Sequence, residues 1–216
     1  MNMSCRLLFV RHGQSLGNLT GRFLGITDLD LSPLGAVQAR RTADYLKDEK
    51  IDVIYASDLI RACHTAQPLS EIKGLPIIKD KRLEEINAGL WENRTFDDLE
   101  KEFPESYEGV WLHDIGNSKA DGGESVAHLT DRIYDAVHDI SMKNDGKTVA
   151  IFSHATPIRA FFCRIYGYSL SEMVKLPWPT NASVSEAVFE SGKFEPVRYS
   201  YDEFMGELST ALPKNC

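Results

Sequence analysis

The 216-residue sequence has little cysteine, and its four thiols lie far apart with no C-x-x-C pair: Cys5, Cys63, Cys163 and Cys216. Disulfide scaffolds and structural zinc sites depend on suitably spaced cysteines, so the sequence favours neither. The apolar run nearest the N-terminus, residues 7–10, is too short for a signal peptide or a membrane span. We therefore expect a reduced, cytoplasmic protein with no membrane partner.

Basic residues are also scarce. The chain has 24 Lys and Arg against 32 Asp and Glu, which gives a formal charge of −8. Proteins that bind nucleic acid present clustered Lys and Arg to the phosphate backbone, so we expect no nucleic-acid partner.

The motifs of three common catalytic chemistries are missing. The sequence contains no G-x-x-x-x-G-K-[ST] loop, no G-x-S-x-G elbow and no H-E-x-x-H pair. The six histidines show no metal-ligand spacing: His12, His64, His113, His128, His138 and His154. Without a metal or an activated Ser or Cys, a histidine is the remaining candidate nucleophile. We expect no metal ion and no cofactor.

Three short apolar runs predict the sheet. Residues 7–10, 53–56 and 148–152 are continuously apolar, which is typical of strands covered on both faces in a mainly parallel sheet. Residues 183–189 and 194–201 around Ser191-Gly192 predict a terminal hairpin. Alternation of these strands with helices predicts an α/β protein, a three-layer α/β/α sandwich.

Four helices are predicted between the strands. A helix capped by Ser32 begins at Pro33, and a helix capped by Asp58 bends or ends near Pro68. Ser125 caps the longest helix, and a fourth helix covers residues 156–166. The core-facing positions expected in the first three helices are Ala36, Ala39, Ala43 and Leu46; Leu59, Cys63 and Ala66; and Val126, Leu129, Ile133, Val137 and Ile140.

The segment 90–124 departs from this alternation and predicts a small cap-like insertion in one 1–216 domain. It carries ten acidic and three basic residues. Its aromatic residues include Trp91, Phe96 and Trp111, which either hold down a solvated acidic segment or face a substrate. If the segment covers the site, its acidic wall would repel a second anionic group, so neutral or aromatic monoesters would be preferred.

Polar residues follow each of the three apolar strands. His12 follows the first with Arg11, Arg61 comes shortly after the second, and His154 follows the third. Ligands bind outside the carboxyl ends of parallel strands, so these side chains are expected to meet in one crevice. Guanidinium groups match phosphoryl oxygens, and the predicted guest is therefore a phosphoryl group.

These residues resemble the histidine phosphatase superfamily, which has the phosphoglycerate mutase-like fold. The matching segments begin with Arg11-His12-Gly13-Gln14-Ser15 and Asn18, which is similar to R-H-G-E/Q-[ST]-x-x-N. They continue through Gly25-x-x-Asp28, Leu31-Ser-Pro-Leu-Gly35 with Gln38-Ala39, Ser57-x-Leu-x-Arg61-Ala62 with Thr65-Ala66, Leu83-x-Glu85 with Gly89 and Trp91-Glu92, Gly122-Gly-Glu-Ser125, and Ser153-His154 with Arg159.

The resemblance implies a phosphatase in which His12 is the nucleophile and forms a phosphohistidine. It implies that Glu85 is the proton donor, because Glu85 rather than Glu84 stands four residues before Gly89. The phosphate-binding set that it implies consists of Arg11, His12, Asn18, Gly25, Arg61, Glu85, His154 and Ala155. Ala155 stands where the family often has glycine.

The activity expected on this basis is a metal-independent phosphomonoesterase acting on small phosphorylated metabolites. Two alternatives stay open: a cofactor-dependent phosphoglycerate mutase, and a protein that binds phosphorylated ligands without catalysis. Mutases of the family read H-G-N-S-L-R, where this chain has His154-Ala-Thr-Pro-Ile-Arg159, and they carry a longer, more basic insertion. The sequence leaves the physiological substrate open, and also whether the chain is a monomer or a homodimer.

Overall fold

The computed structural model describes residues 4–212. The eight strands are β1 (Ser4–Arg11), β2 (Arg22–Phe23), β3 (Val53–Ala56), β4 (Ile77–Lys79), β5 (Arg94–Thr95), β6 (Thr148–Ser153), β7 (Val184–Glu190) and β8 (Lys193–Tyr201). Six of them form one sheet in the order β4-β3-β6-β1-β7-β8. Neighbours among β4, β3, β6 and β1 are parallel, and β7 and β8 add an antiparallel hairpin. The predicted mainly parallel sheet and terminal hairpin are confirmed.

The helices are α1 (Leu16–Leu19), α2 (Pro33–Leu46), α3 (Ile60–Lys73), α4 (Phe96–Glu102), α5 (Val126–Lys143) and α6 (Ala155–Ile165). They cover both faces of the sheet, so alternate residues of β1 pack into two different hydrophobic cores. Leu8 and Val10 pack with residues of α2 and α3, whereas Leu7 and Phe9 pack with residues of α5 and α6. The expected α/β/α sandwich is therefore confirmed.

Two predicted helix starts are confirmed by their caps. The Ser32 hydroxyl accepts a hydrogen bond from Gly35 N, and the Ser125 hydroxyl accepts one from His128 N. The predicted apolar stripe of α5 is buried throughout. In α2, however, Ala36 is exposed and the buried face includes Gly35 and Gln38 instead. Its place on the core face was wrong because alanine alone does not mark a helix face.

The predicted start of α3 was wrong, and the helix does not end near Pro68. Its N-cap residue is Leu59 rather than Asp58, and Ile60 N donates instead to Asp28 Oδ1 at 2.7 Å, from a distant loop. Pro68 lies inside the helix, which continues to Lys73. Pro68 cannot donate a backbone hydrogen bond, but burial of neighbouring residues such as Leu69 stabilises the continuous helix.

The segment 90–124 is attached to the sandwich through β5, which pairs with β2. After β5 come α4, a π-helix (Pro104–Trp111) and a 3-10 turn (Ile115–Asn117). The Trp91 ring is buried and packs edge-on against Phe23, Tyr107 and Trp111. An aromatic cluster therefore holds this segment against β2.

Three of the four cysteines are free thiols in the structure: Cys5, Cys63 and Cys163. Cys216 lies outside the described residues. Within residues 4–212, no helix combines the length and apolar character needed to cross a bilayer.

Candidate active site

The carboxyl ends of three neighbouring strands place the predicted residues together. β6 lies between β1 and β3, with Arg11 opposite Ser153 and Ala56 opposite Phe152. The residues that follow each strand therefore share one edge of the sheet. The pocket there is lined by Arg11, His12, Asn18, Arg22, Phe23, Leu24, Gly25, Arg61, Glu85, Phe96, Trp111, Ala155, Thr156, Trp178 and Leu212.

His12 is held as a neutral ring with a defined tautomer. Burial and the charges of Arg61 and Arg11 hold its pKa well below 6.5. Its Nδ1 lies 2.7 Å from Gly13 O. A carbonyl oxygen can only accept, so Nδ1 carries the proton and Nε2 keeps its lone pair. His12 is 4% exposed and lines the pocket, which makes Nε2 a candidate nucleophile.

His154 lies directly behind the pocket lining. It is completely buried, and its ring centroid is 5.1 Å from that of His12. Its Nε2 lies 2.8 Å from the hydroxyl of Ser57, the residue that follows β3. Burial and the neighbouring charge of Arg61 also hold the pKa of His154 well below its usual value. His154 is thus a second neutral imidazole beside the first.

Two buried arginines supply fixed positive charge. Arg11 Nη1 donates to Pro179 O at 2.6 Å. Arg61 is 1% exposed, and its two terminal nitrogens donate to Thr27 O and Gly25 O at 2.8 and 2.7 Å. Arg61 Nε has no partner among the described residues. A buried donor of this kind would be satisfied by an anionic oxygen in the pocket.

Asn18 offers an amide donor at the same place. Its Oδ1 accepts from Ser15 N and from Asn181 Nδ2, both at 3.2 Å. Because Ser15 in turn caps α1 by accepting from Asn18 N, the amide is fixed in orientation. The NH2 end of Asn18 is the group left to face an anion.

Glu85, rather than Glu84, lies in the pocket with His12. Its carboxylate accepts from Ile86 N at 2.9 Å and from Thr156 N, in the first turn of α6, at 3.3 Å. Burial raises the pKa of Glu85 despite these hydrogen bonds and the charge of Arg61. Glu85 is therefore suited to hold a proton near the scissile bond. Glu84 does not line this pocket; it lines a neighbouring groove that Glu85 also borders.

The outer wall of the pocket is aromatic and basic. Phe96 and Trp111 of the segment 90–124 line it, and Trp111 stacks on Trp178 at 5.9 Å. The expected acidic wall is wrong: none of the ten acids of that segment is among the described lining residues, whereas Arg22 is. Trp91 packs in the aromatic cluster and does not line the pocket. A charge count along a segment did not show which side its acids face.

The structure brings together all eight predicted site residues, with His154 just behind the lining. The Gly25 carbonyl holds Arg61, and Ala155 lies in the first turn of α6. The sequence reasoning gave no role to Ser57, Arg22 or Trp178. Ser57 stands directly after a predicted strand, which could have identified it; nothing in the sequence set Trp178 apart.

Comparisons with known proteins agree with this geometry. Residues 7–202 match the family model of the histidine phosphatase superfamily (branch 1). Phosphoserine phosphatase 1 of Hydrogenobacter thermophilus is 35% identical over 167 residues, covering 77% of this chain and 79% of that one. The 2,3-bisphosphoglycerate-dependent phosphoglycerate mutase of Mesorhizobium japonicum is 33% identical over 189 residues, covering 84% and 91%. The solved phosphoserine phosphatase of Entamoeba histolytica, in complex with 3-phosphoglyceric acid, superimposes with a TM-score of 0.82 at 25% identity, covering 93% and 99%.

Proposed function

The chain belongs to the histidine phosphatase superfamily and is a phosphatase, and we propose that it hydrolyses small phosphomonoesters through a phosphohistidine formed on His12. The observation that carries this proposal is the state of His12. The ring is neutral, Nδ1 donates to Gly13 O, and Nε2 keeps a lone pair in a pocket that also holds three arginines and a carboxyl group.

In the first step, His12 Nε2 attacks phosphorus and the bond from phosphorus to the ester oxygen breaks. Glu85, protonated because burial raises its pKa, gives its proton to the departing oxygen, and the alcohol leaves. Arg11, Arg61 and the Asn18 amide face the equatorial oxygens, where charge is spread in the transition state. Fixed donors of this kind supply electrostatic stabilisation without a metal ion.

In the second step, water attacks the phosphoryl group and the P–N bond breaks. The Glu85 carboxylate takes the proton from water, so inorganic phosphate leaves and both Glu85 and His12 return to their starting states. His154 Nδ1 is buried and has no partner among the described residues, and its ring centroid lies 5.1 Å from that of His12. We infer that Nδ1 donates to a phosphoryl oxygen.

Hydrolysis is favoured over mutase activity by the charges around the pocket. A mutase must retain a bisphosphorylated intermediate, so it needs receptors for two phosphoryl groups at once. Among the described lining residues, Arg22 is the one cation beyond Arg11 and Arg61. That single guanidinium balances the one negative charge of a carboxylate, whereas a second phosphoryl group carries about two.

The substrate class that fits is a small phosphomonoester with a carboxylate near the phosphate, such as phosphoserine. Arg22 provides the charge for that carboxylate, and its Nη1 is oriented by a hydrogen bond to Asn93 O at 2.6 Å. The name of the Hydrogenobacter relative agrees with this class.

The test compares phosphoserine with phosphoethanolamine, which lacks the carboxylate. We expect wild-type kcat/KM to favour phosphoserine roughly tenfold or more, since a hydrogen bond to a charged group contributes about 1.5–3 kcal/mol. The variant Arg22→Met should lose most of this preference. Arg94→Met, which removes a neighbouring arginine paired with Glu102, is the control and should keep it.

Two results would contradict the proposal. Equal wild-type kcat/KM values for phosphoserine and phosphoethanolamine would show that the enzyme does not recognise the substrate carboxylate. Appearance of 2-phosphoglycerate from 3-phosphoglycerate with a trace of bisphosphoglycerate, faster than free phosphate, would favour the mutase.

A further inference from the structure

The short segment that carries Glu85 is held by its backbone carbonyls. Arg132 of α5 donates to Arg82 O at 2.8 Å, to Glu84 O at 3.0 Å and to Glu85 O at 3.3 Å. The Ser153 hydroxyl donates to the remaining carbonyl, that of Leu83, at 2.7 Å. Four consecutive carbonyls are therefore fixed by two side chains from elsewhere in the fold.

Arg132 is itself fixed by Glu124. Its Nε and Nη2 donate to the two carboxylate oxygens of Glu124 at 2.9 and 2.7 Å, in a bidentate ion pair. The side chains are 17% and 9% exposed. Burial alone would raise the pKa of Glu124, but the hydrogen bonds and charge of Arg132 lower it, so the carboxylate stays ionised.

Glu124 also joins the Glu85 segment on its far side. Glu124 N donates to Asn87 O at 2.7 Å, and Asn87 N lies 3.4 Å from Glu124 Oε2. The pair thus contacts the chain both before and after Glu85. A planar guanidinium can make these contacts together, whereas a lysine ammonium cannot reproduce the same fork.

We propose that Arg132, anchored by Glu124, is a positioning residue that sets where the Glu85 carboxyl group meets the leaving oxygen. Arg132 does not line the pocket and touches no substrate; it acts on the backbone frame of the proton donor. This inference rests on the proposed function, because it takes Glu85 as that donor. A proton donor must lie within hydrogen-bond reach of the departing oxygen, so small displacements of the frame reduce its contribution.

A positioning role predicts a dependence on the leaving group that a general loss of structure would not produce. Nitrophenolate leaves without protonation, whereas an alkoxide requires the proton from Glu85. The quantity to measure is kcat/KM, which reports the step up to formation of phosphohistidine. The two substrates are p-nitrophenyl phosphate and an alkyl phosphate ester. The alkyl ester is phosphoserine or phosphoethanolamine, whichever the wild type hydrolyses with the higher kcat/KM.

The variant Arg132→Met should lower kcat/KM for the alkyl ester by roughly tenfold or more, and for p-nitrophenyl phosphate by less than about threefold. Glu85→Gln gives the reference pattern, with a larger split of the same kind. Glu124→Gln should show the same split at smaller size, and it serves if Arg132→Met does not fold. Arg164→Met is the matched control, because it removes the ion pair that Arg164 of α6 makes with Asp131, the neighbour of Arg132 on α5. This substitution should leave kcat/KM unchanged for both substrates.

The outcomes separate the two claims. A wild-type enzyme inactive on both esters would overturn the proposed function and this inference together. The inference alone is overturned if Glu85→Gln loses more kcat/KM on the alkyl ester than on p-nitrophenyl phosphate, but Arg132→Met and Glu124→Gln do not. Those two variants would then either lose activity equally on both substrates or keep it on both.

Discussion

At the scale of single residues, burial shifts the pKa values of His12 and Glu85 in opposite directions. It lowers the pKa of His12, which favours the neutral ring, and it raises the pKa of Glu85, which favours the protonated carboxyl group. These opposite pKa shifts in one pocket support the proposed roles of His12 as nucleophile and Glu85 as acid. Hydrolysis of alkyl esters should therefore decline as pH falls through the His12 pKa and as pH rises through the Glu85 pKa.

Glu84 provides a test of the same physics outside the catalytic step. Burial and a hydrogen bond with Asp58 raise its pKa from 4.5 to about 7. The folded state thus holds this proton more tightly than the unfolded state between these values. The protonated Glu84 therefore contributes its full stabilisation below pH 4.5, and this stabilisation is lost as pH rises through about 7.

In the wild type, the ionisation of Glu84 should lower the urea concentration at the unfolding midpoint as pH rises from about 5 to about 8. We predict that this decrease is smaller in Glu84→Gln, which has no carboxyl group to ionise. Other titrating groups, including the buried histidines, affect wild type and variant alike, so the difference between the two proteins isolates Glu84. The same pH dependence in both proteins would show that Glu84 titrates normally.

At the scale of elements, patterns confined to one segment were predictable. Ser32 before Pro33 and the regular apolar spacing after Ser125 each report on a helix through its own residues, and both helices are present. The start of α3 was not predictable, because its first N–H donates to Asp28 from another loop. The orientation of the acids in 90–124 likewise depends on packing against β2.

The loop between β2 and α2 links the segment 90–124 to the pocket that holds His12 and Arg61. The Glu92 carboxylate accepts from the backbone N–H groups of Ile26, Thr27 and Ala88. That loop in turn presents the carbonyls that hold Arg61. Glu92 is thus one acidic residue of the segment 90–124 whose carboxylate binds backbone N–H groups of the fold instead of pointing to solvent.

Gly25 is the position where this loop has no room for a side chain. Its φ is +52°, and a Cβ atom would lie 2.1 Å from Glu92 Oε1. Gly21 has φ of +63° with nothing within 4 Å of its Cβ position, so Gly21→Ala is a control for backbone strain alone, roughly 1–2 kcal/mol.

We predict that Gly25→Ala displaces the carbonyl that holds Arg61 and weakens vanadate inhibition about tenfold or more, whereas Gly21→Ala changes it by no more than about twofold. Vanadate is the probe because it takes the five-coordinate geometry of the phosphoryl transition state. Equal effects of the two substitutions would mean that Gly25 matters only through its backbone angle.

At the scale of the whole molecule, an acidic protein maintains a basic pocket. The chain carries a net charge of −8, yet among the described lining residues three arginines face one carboxyl group, that of Glu85. The sandwich makes this separation possible, because β1, β3 and β6 bring distant parts of the sequence to one edge. Strand-end motifs predicted which residues meet there, and Trp111 was a candidate for the wall, whereas the contributions of Trp178 and Arg22 depend on tertiary contacts.

The most direct test of the account is to identify the phosphorylated residue. The enzyme is mixed, in the presence of EDTA, with its best substrate, which carries a label in the phosphoryl group. The reaction is quenched with base within a single turnover, and the labelled residue of the protein is identified by mass spectrometry. The account predicts an acid-labile, base-stable phosphoryl group on His12, absent from His12→Ala, with EDTA having no effect. Label that persists in His12→Ala, or phosphate release that requires a divalent metal, would contradict it.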